Sequence, residues 1–224
     1  MLILLPNLIS EETSHELFLP AIVKEKVAVI NGIIAESEKE ARRYLKRFIP
    51  HFREIPIRLL NEHTSDINEL IKPLLKGETW GLISDAGLPC IADPGHLLVA
   101  KARELNIQVQ ALPGPSSLML ALMLSGLPAQ RFSFHGYLPR EEVELKAQLR
   151  KLEKEGITQL FIEAPYRSEK MLNTLIETLN DKTRLCVASN LTATDEFVAT
   201  HSIFQWKKLS KPQINKKPTV FLFH

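Results

Sequence analysis

The chain has 224 residues, 45% of them apolar and 24% charged, with a net charge of +2. That is enough apolar material for one large or two small soluble domains with a real core, and too little net charge to announce a nucleic-acid partner by itself. Its two cysteines, Cys90 and Cys186, lie far apart without C-x-x-C spacing, which argues against a disulfide framework or a metal site and favours a reducing, cytosolic setting. The opening MLILLPNLIS lacks the basic region and cleavage site of a signal peptide, and LMLALMLSGL (118–127) is about half of a membrane span, so a cytoplasmic protein is expected.

In chain order, MLILL (1–5), KVAVING (26–32), WGLISD (80–85), IQVQAL (107–112), TQLFIEA (158–164), RLCVAS (184–189) and TVFLFH (219–224) read as strands. Several are apolar throughout, as suits sheets covered on both faces. Helical patterns fall between them near 36–48, 66–76, 94–105, 116–125, 141–155 and 168–179. The alternation predicts an α/β protein with mostly parallel sheets. LPGPSS (112–117) is the best boundary, because two prolines surround Gly114 after a strand and Ser116 or Ser117 can cap the helix that follows. It divides the chain into α/β domains 1–112 and 113–224.

Two clusters of cations stand out. On the helix over 36–48, Lys39, Arg42, Arg43, Lys46 and Arg47 share one face, opposite Ala41, Tyr44, Leu45 and Phe48. Such a face is either solvated or turned to phosphates. Lys207, Lys208, Lys211, Lys216 and Lys217 form a second cluster in an expected loop.

The densest chemistry lies in GLISDAGLPCIADPG (81–95). Asp85 sits where a strand ends, the position at which α/β proteins bind ligands. Gly87 lets backbone approach a ligand closely, Pro89 and Pro94 stiffen the loop, and Asp93-Pro94-Gly95 reads as a helix start capped by Asp93. Neither G-x-x-x-x-G-K-[ST] nor G-x-G-x-x-G follows a strand, which disfavours a nucleoside triphosphate or a dinucleotide held in the usual way.

S-D-A-G-x-P-x-x-x-D-P-G at 84–95 resembles the signature of the tetrapyrrole methylase superfamily. LPGPSS (112–117), SGLPAQRFSFHGYLP (125–139) and QLFIEAPYR (159–167) are similar to further motifs of that superfamily in the same order, nearest to its ribosomal RNA ribose 2′-O-methyltransferases. NEH (61–63) and AES with RRYLK (35–46) look like weaker versions of its N-terminal motifs. The resemblance implies two α/β domains with a cofactor cleft between them, S-adenosylmethionine as methyl donor, small-subunit ribosomal RNA as acceptor, and a homodimer. It places the donor against Asp85, Ala86, Gly87, Leu88, Ser116, Ser117 and Ile162. It makes Glu163, Arg167 and Glu62 the catalytic candidates and Arg42, Arg43 and His63 the substrate-binding ones. The related readings are C-methylation of a tetrapyrrole precursor and a non-catalytic donor-binding module. Departures gather on the expected substrate side: LPNLIS replaces a glycine-containing P-T-P-I-G-N-L loop, and Ala35-Glu36-Ser37-Glu38-Lys39 replaces A-E-D-T-R. The printed sequence also ends with TVFLFH, where many members carry a further helical segment.

Overall fold

The apolar run that opens the chain becomes an inner strand of a parallel sheet in the computed structural model, which describes residues 1–61, 64 and 66–224. Within the described residues the chain divides into two compact units, Met1–Ser116 and Ser117–His224.

In the first unit, β1 (Leu2–Leu4), β2 (Gly32–Ala35), β3 (Ile57–Leu59), β4 (Trp80–Leu82) and β5 (Val109–Ala111) lie in the order β3-β2-β4-β1-β5, and all four pairings are parallel. Side chains alternate across a strand, so each sheet face needs its own helical cover. Ile3, Leu5 and Ile33 pack with Val23 and Val27 of α2 (Ile22–Val27) and Ala41, Tyr44 and Leu45 of α3 (Glu38–Lys46). Leu2, Ile34, Trp80 and Leu82 pack with Leu70, Ile71 and Leu74 of α4 (Ile67–Leu75) and Leu98 and Ala102 of α5 (His96–Glu104). A short α1 (His15–Phe18) precedes α2.

Here the structure corrects one strand. KVAVING ends the helix α2 and leads into a strand that starts at Gly32, not Lys26. A short apolar run cannot by periodicity alone be told from a buried helix segment. Gly32 sets the register instead: a Cβ there would lie 2.5 Å from the Trp80 ring on the neighbouring strand.

In the second unit, α6 (Ser117–Ser125), β6 (Phe132–Tyr137), α7 (Glu142–Glu153), β7 (Thr158–Glu163), a 3₁₀ turn at Pro165–Arg167, α8 (Ser168–Thr178), β8 (Arg184–Ser189), β9 (Phe197–Ser202), α9 (Ile203–Trp206) and β10 (Thr219–Phe223) occur in that order. Their sheet runs β6-β7-β10-β8-β9. Only β6–β7 is parallel, and the other three pairings are antiparallel, a more mixed sheet than the mostly parallel one expected. Parallel neighbours need a crossover of a dozen or more residues. α7 provides one between β6 and β7, whereas residues 190–196 joining β8 to β9 are long enough only for a reversal. Phe161 stacks on Phe221 with ring centroids 5.5 Å apart in a core shared with Leu149, Leu172, Leu175 and Trp206.

Among the described residues no helix is long and apolar enough to cross a membrane.

Candidate active site

Parallel strands align their carboxyl ends, and ligand sites of open α/β sheets lie outside that edge. Three adjacent strands of the first unit, β2, β4 and β1, place Glu36, Asp85 and Asn7 just past it. The register pairs Ile34 with Leu82, and the Asp85 backbone amide donates to the Glu36 carboxylate at 3.3 Å, so Glu36 lies against the start of the Asp85 turn.

Asn7 holds the S-D-A-G turn in shape. It is 1% exposed, and its Nδ2 donates to the carbonyls of Ser84 and Asp85, both at 3.0 Å. Its Oδ1 accepts from the Leu8 amide at 2.8 Å and from Arg47 Nη1 at 3.0 Å, and Arg47 also pairs with Glu11. The Asn7 amide donates to the Gly87 carbonyl at 2.7 Å, and the Gly87 amide donates in turn to the Leu8 carbonyl at 3.2 Å. Gly87 has φ +69°, the left-handed conformation that glycine adopts without steric cost. The second half of the loop differs from expectation: α5 is capped by Gly95, φ +136°, and begins at His96, so Asp93 does not cap it. A Cβ on Gly95 would meet Cys90 Sγ at 2.7 Å, so no side chain fits there and the N-cap falls to glycine.

Asp93 thereby joins an acidic cluster instead. Burial, then the charges of Asp93 and Asp85, push the Glu36 carboxyl up to about 7, against the hydrogen bond from the Asp85 amide. Asp93 is pushed up to about 6 by burial, with a Ser84 hydrogen bond opposing and the Asp85 charge adding. Asp85 is raised by partial burial and by Glu40, with Arg43 opposing. Each acid is raised partly by another carboxylate, which marks excess negative charge at this edge. The cluster suits a cationic ligand, or a group that must take up a proton near neutral pH. Among the described residues no group of three or more His, Cys, Asp or Glu could hold a metal ion.

Ala86 is exposed and Leu88 half-buried in the same turn. Ser116 ends the first unit, Ser117 opens α6, and Ile162 is half-buried in β7. Glu163, 4% exposed, accepts from the Ala164 amide at 2.7 Å and lies 3.1 Å from Arg167 Nη2. Arg42 Nη1 donates to the carbonyls of Phe52 and Ile55, both at 2.8 Å, and Arg43 pairs with Glu11 and Glu40. Glu62 and His63 lie outside the described residues. Of the second basic cluster, Lys207 pairs with Asp181, Lys217 with Asp195, Lys211 with Asn173, and Lys208 lies 3.8 Å from the Phe204 ring centre. Sequence reasoning missed Asn7, Glu36 and Asp93 as site residues. Placing β2 over GIIA would have put Glu36 directly past a carboxyl end, level with Ser84.

A sheet edge of this kind, with a D-x-G-x-P turn held over it, is where open α/β sheets place their ligand sites. A family model described as Tetrapyrrole (Corrin/Porphyrin) Methylases matches residues 23–205, and the chain belongs to that family. It is 39% identical over 162 residues to the ribosomal RNA small subunit methyltransferase I of Xylella fastidiosa, covering 71% of this chain and 59% of that protein. The enzyme of the same name from Vibrio cholerae is 34% identical over 172 residues, 77% of this chain and 59% of the relative. That of Buchnera aphidicola subsp. Schizaphis graminum is 31% identical over 202 residues, 88% of this chain and 70% of the relative. The chain therefore spans about 59% of the length of the first two. The crystal structure of the methyltransferase CobJ shares the fold, with a TM-score of 0.63 at 15% identity over 94% of this chain and 89% of that one.

Proposed function

We propose that the chain is an S-adenosylmethionine-dependent methyltransferase that modifies a ribose 2′-oxygen in small-subunit ribosomal RNA. The names of its relatives support the RNA target. The observation that carries the reading is the acidic cluster of Glu36, Asp85 and Asp93 beside the glycine turn. Its excess negative charge fits a cationic donor, and the turn at Gly87 offers backbone at close approach.

S-adenosylmethionine supplies a methyl group on a sulfonium cation, already activated for transfer. What remains for the protein is to hold donor and acceptor in line, which can account for roughly 7–11 kcal/mol of the barrier. Asp85, with Ala86, Gly87 and Leu88, holds the donor in this reading, and Asn7 keeps their turn rigid. A ribose hydroxyl is a poor nucleophile, and ionised Glu36 takes its proton. Glu163 is given a positioning role, because it is buried and engaged with Arg167. Arg43 is the better RNA contact of the two arginines on α3, since Arg42 ties down the loop carbonyls of Phe52 and Ile55. Glu62 and His63 stay as candidates from the resemblance alone.

The test is transfer from labelled S-adenosylmethionine to small ribosomal subunits from a strain lacking this gene. Label in small-subunit RNA, mapped to a ribose, is the expected result. Label in a porphyrinoid with none in RNA would sink the reading, and so would donor binding without transfer to any fraction.

A homodimer belongs to the same proposal. α6 is apolar on all sides and leaves Met123 77% exposed, with Leu124 also exposed, a surface that suits a second copy. Sedimentation at micromolar concentration should give twice the chain mass; a monomer would refute this.

A further inference from the structure

We propose that the corner of the second unit where β6 and β7 end holds a segment of single-stranded RNA, with one phosphate seated among Arg140, Arg167 and Lys170 and bases resting on Tyr137 and Tyr166. The inference rests on the RNA reading above and adds a binding subsite to it.

β6 and β7 are parallel neighbours, with Tyr137 paired to Ile162, so the segments leaving both strands emerge at one edge. After β6 come Leu138, Pro139 and Arg140; after β7 come Ala164, Pro165, Tyr166 and Arg167, then Lys170 on the first turn of α8. Arg140, Arg167 and Lys170 line a cavity of about 30 Å³ together with Leu145, Met171 and a single carboxylate, Glu142. Glu142 is already engaged by Lys146 at 2.6 Å. Among the described residues no ion pair within 4.0 Å engages Arg140 or Lys170, although Lys170 lies close enough to Glu142 to help hold that carboxyl below its usual range. Arg167 is held by buried Glu163, which fixes its guanidinium at the pocket. Fixed guanidinium groups match the oxygens of a phosphodiester better than mobile ammonium groups do.

The aromatic rings supply the second observation. Tyr137 is 62% exposed and Tyr166 69% exposed; Tyr137 ends β6 three residues before Arg140, and Tyr166 immediately precedes Arg167 just past β7. Stacking rings interleaved with cations is how single strands are held without reading their sequence.

The experiment measures binding of a fluorescent single-stranded RNA oligonucleotide by the full chain at several salt concentrations. Arg140→Gln with Lys170→Gln should weaken binding about tenfold and flatten the salt slope by about 0.7 for each phosphate no longer neutralised, with donor affinity and melting temperature unchanged. Tyr166→Ala should weaken binding about tenfold and leave the salt slope alone. If both variants bind RNA within twofold of the wild type, the subsite is overturned while the RNA reading stands. If the wild type binds donor but no RNA, that reading falls and takes the subsite with it. Inorganic phosphate that stabilises the wild type but not the double variant, with RNA affinity equal in both, would make this a small-anion site and also overturn the proposal.

Discussion

Glu36→Gln is expected to lower the rate of methyl transfer by about 10²–10⁴-fold, the usual loss when a positioned general base is removed. Glutamine keeps the size of the side chain and can still accept from the Asp85 amide, as Glu36 does at 3.3 Å, so the turn should hold. What it cannot do is take up a proton. The wild-type rate should rise as pH climbs through about 7, where Glu36 ionises, and that rise should vanish in the variant. Stability should move the opposite way. The folded-state value lies above the ordinary 4.5, so the folded protein holds the proton more tightly than the unfolded chain between those limits. The contribution from the protonated acid is full below about 4.5 and is lost as pH rises through about 7. Wild-type protein should therefore lose melting temperature relative to the variant across that window. Single-turnover rates within threefold of each other would remove Glu36 from the chemistry; a flat difference in melting temperature would show that its charge is not suppressed in the fold.

Much of the fold could be read from the chain, and the unread part has a physical explanation. Six helical patterns and six of the seven expected strands appear where the lengths of the apolar runs and the helical spacing put them. The failures lie where context outweighs pattern. β2 is four buried residues long and is positioned by a contact between Gly32 and Trp80, on two strands that lie far apart in sequence. β6 contains Gly136 at φ +63° and a register shift between Phe134 and Tyr137, so its alternation is broken within the strand. β9, FVATHS, is half-buried along its whole length and mixes polar with apolar residues. The D-x-G-x-P turn was legible because its unusual composition is local. Its partners were not: Asn7 and Glu36 reach it only through the order β2-β4-β1. The cationic face of α3 was visible as a pattern, but not that Glu11, from before α1, would meet Arg43 and Arg47.

Asn7→Ala is expected to be the most damaging small substitution in the first unit. One buried amide uses both of its donors on the Ser84 and Asp85 carbonyls, and its oxygen accepts from Leu8 and Arg47. Removing it leaves two buried polar groups and two half-buried ones without their partner, each buried one worth about 1–3 kcal/mol, although neighbouring losses do not add fully. A total of about 3–5 kcal/mol is expected, read as a lower urea midpoint. Donor affinity should fall at least tenfold among molecules that remain folded, because the turn carrying Asp85 is no longer clamped. Asn7→Asp separates the clamp from mere packing. It preserves size and keeps an oxygen for Leu8 and Arg47, but replaces both Nδ2 donors with acceptor oxygens facing two carbonyls. It also adds a fourth acid near Glu36, Asp85 and Asp93. If the donated bonds hold the turn, the Asp variant should lose donor affinity nearly as far as the Ala variant, while Arg47 limits its loss of stability. An Asp variant that binds donor like the wild type would mean that the two Nδ2 bonds are not needed, and that the backbone bonds of Asn7 and Leu8 to Gly87 hold the S-D-A-G turn without them.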